Sequence, residues 1–268
     1  MSGSITSFRR LGNTHRHTVL SVLAISMACG TILSGATAAS LETDAPTNAS
    51  AARPAAGPIV AELFLSQSCN RCPPAAALFP KLAARDDVIA LSWHVDYWNT
   101  TATTNGRWHD PFSKTAFSKR QKRYNANIRK RSSTYTPQII INGTAQTIGS
   151  DETKISALLD KTPARPSATI TAKRLDDTLT FSIGNSPDGG NAYLVTFTPE
   201  TSTTVTAGAN VGNVFRGVNV VTNGARLGLV SKAGGGLTTP PPAPGQGCAL
   251  IVQAPGQAEI IAAAYCPA

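Results

Sequence analysis

The sequence predicts an α/β domain followed by a β-rich C-terminal domain. Three observations carry this expectation. Two apolar runs, 59–65 and 88–95, flank a helical stretch that opens on Cys69 and Cys72, the order of a strand–helix–strand unit. A basic helix, a Thr-Pro step and an Asn-Gly hairpin signal follow. Beyond "KTPARP", Lys161 to Pro166, the pattern changes to short alternating runs with turn residues between them and no helical periodicity. Four segments result: a signal peptide over 1–38, a tether over 39–58, the α/β domain over 59–162 and the β-rich domain over 167–268.

Each element has its own reason. "IVAELFL", Ile59 to Leu65, is apolar on both faces except at Glu62, as expected of a strand covered on both sides. A helix is expected from Cys72, because Pro73 and Pro74 suit a first turn that needs no N–H, and Pro80 should kink or interrupt it. "VIALSWHV" is the second strand. After an irregular stretch, Asp110 as N-cap and Pro111 as first residue predict a long helix to about Lys130, with Phe117, Tyr124 and Ile128 on one face. "YTPQIIINGTAQTIG" reads as a hairpin turning at Asn142-Gly143, and Ser150 or Asp151 caps a short helix ending near Leu159. In the second half, runs around Asp176-Asp177 form another hairpin. "KAGGGLTTPPPAPGQG" is a low-complexity loop expected to be mobile.

The N-terminus predicts export. Arg9, Arg10 and Arg16 precede an apolar stretch from Val19 to Leu33, no acid occurs before Glu42, and "ATAAS" offers a cleavage site after Ala38. The apolar stretch is too short and weak for a membrane span, so the mature chain is expected to carry no transmembrane segment and to be periplasmic or secreted. Cys29 leaves with the signal, and Ser26 stands where a lipoprotein signal needs a large aliphatic residue. An oxidising compartment then receives four cysteines: Cys69, Cys72, Cys248 and Cys266. Two local pairs are the economical arrangement, although four cysteines allow three pairings. Cys248 and Cys266 flank the last two strand-like runs without a helix start or basic neighbour, and are expected to close a structural disulfide.

The net charge is +9, and charged residues are only 15% of the chain. The excess sits between Arg107 and Arg131, where nine Lys or Arg residues face one acid, Asp110. No aromatic stacking pattern accompanies these charges, so no nucleic-acid module is supported. A solvated helix face is the expected reading, with weak attraction to an anionic surface second.

The chemistry centres on "SCNRC". A thiolate at a helix N-terminus is stabilised by unpaired amides and the helix dipole, and Arg71 adds a positive neighbour. Cys69 is therefore the expected exposed nucleophile and Cys72 the resolving thiol. His94, Asp96 and Trp98 cluster at the end of the second strand, where α/β folds place ligand sites; the readings are that Asp96 orients His94, that it binds a basic group, or that the three form a packed, hydrogen-bonded corner.

The order of "CNRC" and "YTPQ" resembles the thioredoxin-like fold, and "ELFLSQSCNRCPPA", "HVDYW", "DPF", "RQKRY" and "YTPQIIINGTAQTIGSD" are similar to the exported family DUF1223, with looser likeness through "NVFRGVNVV" and "CALIVQ". The first resemblance implies a thioredoxin-like domain for 59–162, with Pro137 facing the cysteines and Thr136 offering its backbone to an extended substrate. It also implies that Glu62 moves protons at Cys72, against the plainer reading of a structural ion pair. The second resemblance brings no activity. Departures from thioredoxins include Ser68 where Trp is usual, two prolines after Cys72, and a long insertion after the second strand.

The expected function is a thiol–disulfide oxidoreductase acting on exported protein thiols or a redox partner, with no cofactor. One alternative is a copper protein using Cys69, Cys72 and His94, or more weakly His109; soft thiolates suit Cu(I), but the cysteine spacing is one residue short. Another is a non-catalytic binding module with a structural disulfide at the same place.

Overall fold

The computed structural model describes residues 57–162, 168–186 and 188–267. The expected signal peptide, most of the tether and most of the interdomain connection at 163–167 lie outside them. The described chain runs β1 (Ile59–Leu65), α1 (Pro73–Ala83), β2 (Val88–His94), α2 (Thr115–Arg129), β3 (Gln138–Ile141), β4 (Ala145–Ile148) and α3 (Glu152–Lys161). Then come β5 (Ile170–Leu175), β6 (Thr178–Ile183), β7 (Gly190–Thr204), β8 (Val214–Val230), β9 (Gly235–Thr239), β10 (Gly247–Gln253) and β11 (Ile260–Tyr265).

Eight strands form one mixed sheet in the order β11-β10-β7-β8-β2-β1-β3-β4, and β5-β6-β9 form a second sheet. β1 and β2 are parallel, with Ile59 opposite Val88 and Leu65 opposite His94. β1 meets β3 antiparallel on its other edge. With partners on both edges and cover on both faces, β1 and β2 bury every residue.

This topology overturns the expected fold class, an α/β thioredoxin-like domain followed by a separate β-rich domain. The fold is mostly β, with three α-helices among the described residues. The outer edge of β2 is closed by β8: Ser92 pairs with Val220, the Ser92 hydroxyl donates to the Val218 carbonyl at 2.8 Å, and Asn219 Nδ2 donates to the Ala90 carbonyl at 2.9 Å. An uncovered strand edge leaves unpaired backbone groups, and here the second half of the chain satisfies them. Its strands therefore extend the sheet of the first half.

Smaller expectations are corrected by local physics. α1 continues through Pro80, and α2 begins at Thr115 with no side-chain cap rather than at Pro111. Asp110 is drawn elsewhere, as described below. The "KAGGGLTTPPPAPGQG" segment supplies β9, which pairs with β6 from Leu179–Thr239 to Ile183–Gly235. The hairpin between β3 and β4 does turn at Asn142 and Gly143, both at positive φ, and Asp151 caps α3 by accepting from the Lys154 N–H at 3.0 Å.

Alternation along β1 divides the core. Ile59, Ala61, Leu63 and Leu65 pack with α1, α3 and both cysteines of the CxxC. Val60 and Phe64 pack on the other face with Phe117 and Tyr124 of α2 and with β7 and β10. A third cluster joins the small sheet to β7, β10 and β11, and there Cys248 and Cys266 form a disulfide with Cα atoms 5.3 Å apart. No helix among the described residues is long and apolar enough to cross a membrane.

Candidate thiol site

Cys69 and Cys72 are free thiols where the loop after β1 turns into α1. The turn is built locally. The Cys69 N–H donates to the Ser66 carbonyl and the Cys72 N–H to the Cys69 carbonyl, each at 3.1 Å. Cys72 is the N-cap residue, and Pro73 and Pro74 fill the first turn. The Thr136–Pro137 peptide is cis, and the Thr136 carbonyl lies 3.8 Å from Cys69 Sγ. Gly149 allows this approach: a Cβ there would come within 2.5 Å of Leu63 and 3.2 Å of Pro137. Trp98 holds Thr136 in place, its indole N–H donating to Thr136 Oγ1 at 2.7 Å.

The expected exposed nucleophile is not exposed. Cys69 is 1% accessible and Cys72 is fully buried. Cover comes from two segments outside any strand–helix–strand unit. From the stretch after β2, Trp98 and Trp108 pack against the cluster that holds the cysteines, and the Ser68 hydroxyl donates to the Trp108 carbonyl at 2.8 Å. From the 3₁₀ turn Gly208–Asn210 between β7 and β8, Asn210 Nδ2 donates to the carbonyls of Gln67 and Cys69 at 2.8 and 2.9 Å.

Asp110, read from sequence as a helix cap, is buried beneath this loop. It accepts from the Gln67 N–H at 2.7 Å and the Phe112 N–H at 3.0 Å, and its Oδ2 lies 2.7 Å from His94 Nδ1. His94 is thus oriented by Asp110 and not by Asp96, which accepts from the hydroxyls of Thr115 and Ser118 on α2. His94 Nε2 is buried without a partner among the described residues. His109 lies beside Asn99. Among the described residues no group of three His, Cys, Asp or Glu side chains is placed to hold a metal ion.

Glu62 is also displaced from its expected role. It points to the face opposite the thiols, where Arg120 clamps it at 2.7 and 3.1 Å and the Tyr124 hydroxyl donates to it. Gln253 completes the group, donating to Tyr124 at 2.8 Å. The ion pair, not proton movement at Cys72, is what this geometry builds.

The family model for proteins of unknown function designated DUF1223 matches residues 60–253. The chain belongs to the DUF1223 family. A crystal structure of protein AGR_C_4864 from Agrobacterium tumefaciens is similar at 26% identity and a TM-score of 0.66, covering 78% of this chain and 93% of that one. HBP35 of Porphyromonas gingivalis is similar in fold alone, at 13% identity and a TM-score of 0.54, covering 78% of this chain and 74% of that one. No curated protein matches the chain.

In this DUF1223 protein the two thiols differ in acidity. Cys69 is lowered to about 7, first by a hydrogen bond from Cys72 and then, against the cost of burial, by Thr136 and the backbone at Arg71 and Cys72. Cys72 is pushed well above its ordinary value by burial and by Cys69 beside it. One sulfur is therefore ready to ionise near neutrality while its neighbour stays protonated. Burial would raise Asp110, but His94 and the two backbone donors outweigh it and hold the carboxyl low. Asp110, Asn210 and Trp108 escaped the sequence reading. Asp110 carries the signature of a cap, and nothing local ties Asn210 to a cysteine so far back in the chain.

Proposed function

We propose that this DUF1223 protein is an exported thiol–disulfide oxidoreductase working through Cys69 and Cys72. One observation carries the reading: a free, acidified Cys69 at a helix start, paired with a less acidic Cys72 and faced by the Thr136 carbonyl. Exchange needs that asymmetry. The Cys69 thiolate attacks one sulfur of a partner disulfide, forming a mixed disulfide and releasing the partner's other sulfur as a thiolate. Cys72, on losing its proton, attacks Cys69 and releases the second partner sulfur. The partner gains two electrons and the protein becomes the Cys69–Cys72 disulfide; the reverse sequence oxidises a partner dithiol. Because both sulfurs are covered, reaction requires the contacts of Trp98, Trp108 and Asn210 to part.

The test is mixed-disulfide trapping. Cys72→Ala should hold partners covalently on Cys69, released by reductant, and Cys69→Ala should not. The wild-type pair should have a reduction potential above about −300 mV, the range of labile rather than structural disulfides. No trapped species, together with a pair below that value, would leave a structural thiol pair in its place.

A further inference from the structure

We propose that the basic cavity under α2, on the sheet face away from the thiols, binds a small aromatic carboxylate. The cavity lies between α2 and strands β7 and β8, with a volume of about 240 Å³. That is below the roughly 300–1,000 Å³ of sites for drug-sized ligands and suits one or two fused rings. Trp93, Phe117 and Tyr193 give it an aromatic lining. Lys114, Lys119, Arg120 and Arg123 are the charged residues that line it, and no Asp or Glu does.

The cations are not equivalent. Arg120 is paired with Glu62 and its guanidinium carbon lies over Trp93, 5.0 Å from the ring centre. Lys114 donates to the Thr222 carbonyl. Lys119 and Arg123 stand one helical turn apart at the exposed rim, where like charges repel unless an anion lies between them. No Asp or Glu lines the cavity to supply one.

Two further observations point to an occupant. Trp93 is 2% exposed and its indole N–H has no hydrogen-bond partner among the described residues, a deficit that an incoming oxygen acceptor would remove. Gly224 borders the same ring and lines the cavity: a Cβ there would sit 3.3 Å from Trp93 Cη2, so a larger side chain at 224 would crowd the indole and the cavity beside it. A carboxylate that accepts from the Trp93 N–H and draws Lys119 and Arg123 toward it, with its ring beside Tyr193, answers both the polar and the apolar parts.

The test uses naphthoate and its neutral counterpart naphthamide in calorimetric titrations at low ionic strength, with the Trp93 indole resonance as a marker of place. Naphthoate should bind saturably at one site and shift that resonance, and naphthamide should bind at least about tenfold more weakly. Lys119→Gln with Arg123→Gln, both exposed, should weaken naphthoate at least about tenfold and leave naphthamide unchanged. Gly224→Leu should abolish both. Equal affinity for acid and amide, an unshifted Trp93 resonance, or unchanged naphthoate binding in the charge variant would overturn the proposal.

Discussion

The two faces of β1 solve opposite problems with adjacent residues. On one, Leu63 and Leu65 lead into a loop whose thiols are kept uncharged or singly ionised under a cover of tryptophans. On the other, Glu62 is buried and is matched by Arg120 and Tyr124. Strand alternation alone separates them, so a carboxylate a few residues from a CxxC need not serve it. Glu62 and Arg120 offset each other as a pair, whereas the two thiols differ in acidity.

The strongest way to break this contrast is Glu62→Gln. Largely covered Arg120, 13% exposed, would keep its charge without a counter-ion, and stability should fall by about 3 kcal/mol in denaturant titration. The Cys69 titration should not move; a shift would put Glu62 in communication with the thiols after all. A control lies off both faces. Replacing Cys248 and Cys266 with serine should cost about 3 kcal/mol, read the same way, without altering alkylation of Cys69.

Asn210→Ala acts on the thiol face itself. Two buried carbonyls lose their donor, which should cost about 1–3 kcal/mol. Alkylation of Cys69 by iodoacetamide should quicken, because the clamp from the β7–β8 turn is gone. Unchanged labelling with lowered stability would show that access runs by another route.

The smallest effect is the most specific. Thiolate absorbance should rise with a midpoint of about 7 for Cys69, with Cys72 ionising only well above 9.0. The Cys69 value is depressed on folding, so between about 7 and 9.0 the unfolded chain binds more protons. That contribution to stability is present above the unfolded value and is lost as pH falls through about 7. Cys72 acts in the opposite sense above 9.0. Cys69→Ala should flatten the neutral-range slope.

The local grammar of the chain was readable. Two prolines after Cys72, the Thr-Pro step, Asn142-Gly143 and the spacing of the last cysteines each act within a few residues, and each stands in the structure as a helix start, a bend opposite the thiols, a turn or a disulfide. The sheet order was not readable, because a strand's own residues do not say which distant edge it will close. β8 on β2 and Asn210 on Cys69 are such long-range choices. Asp110 was misread for a related reason: a cap signature describes what a side chain can do, and His94 with the Gln67 amide competed for the same oxygens.

The seam at Ser92 and Val220 bears on how the molecule can be made. Until β8 has been synthesised, β2 presents a bare, apolar border open to pairing with other chains. A truncated chain ending at Lys161 would keep the CxxC, the Thr-Pro bend and α1 to α3, yet it would inherit that border. Supplying residues 168–267 as a separate polypeptide should rescue it, since the missing piece is the strand that seals it.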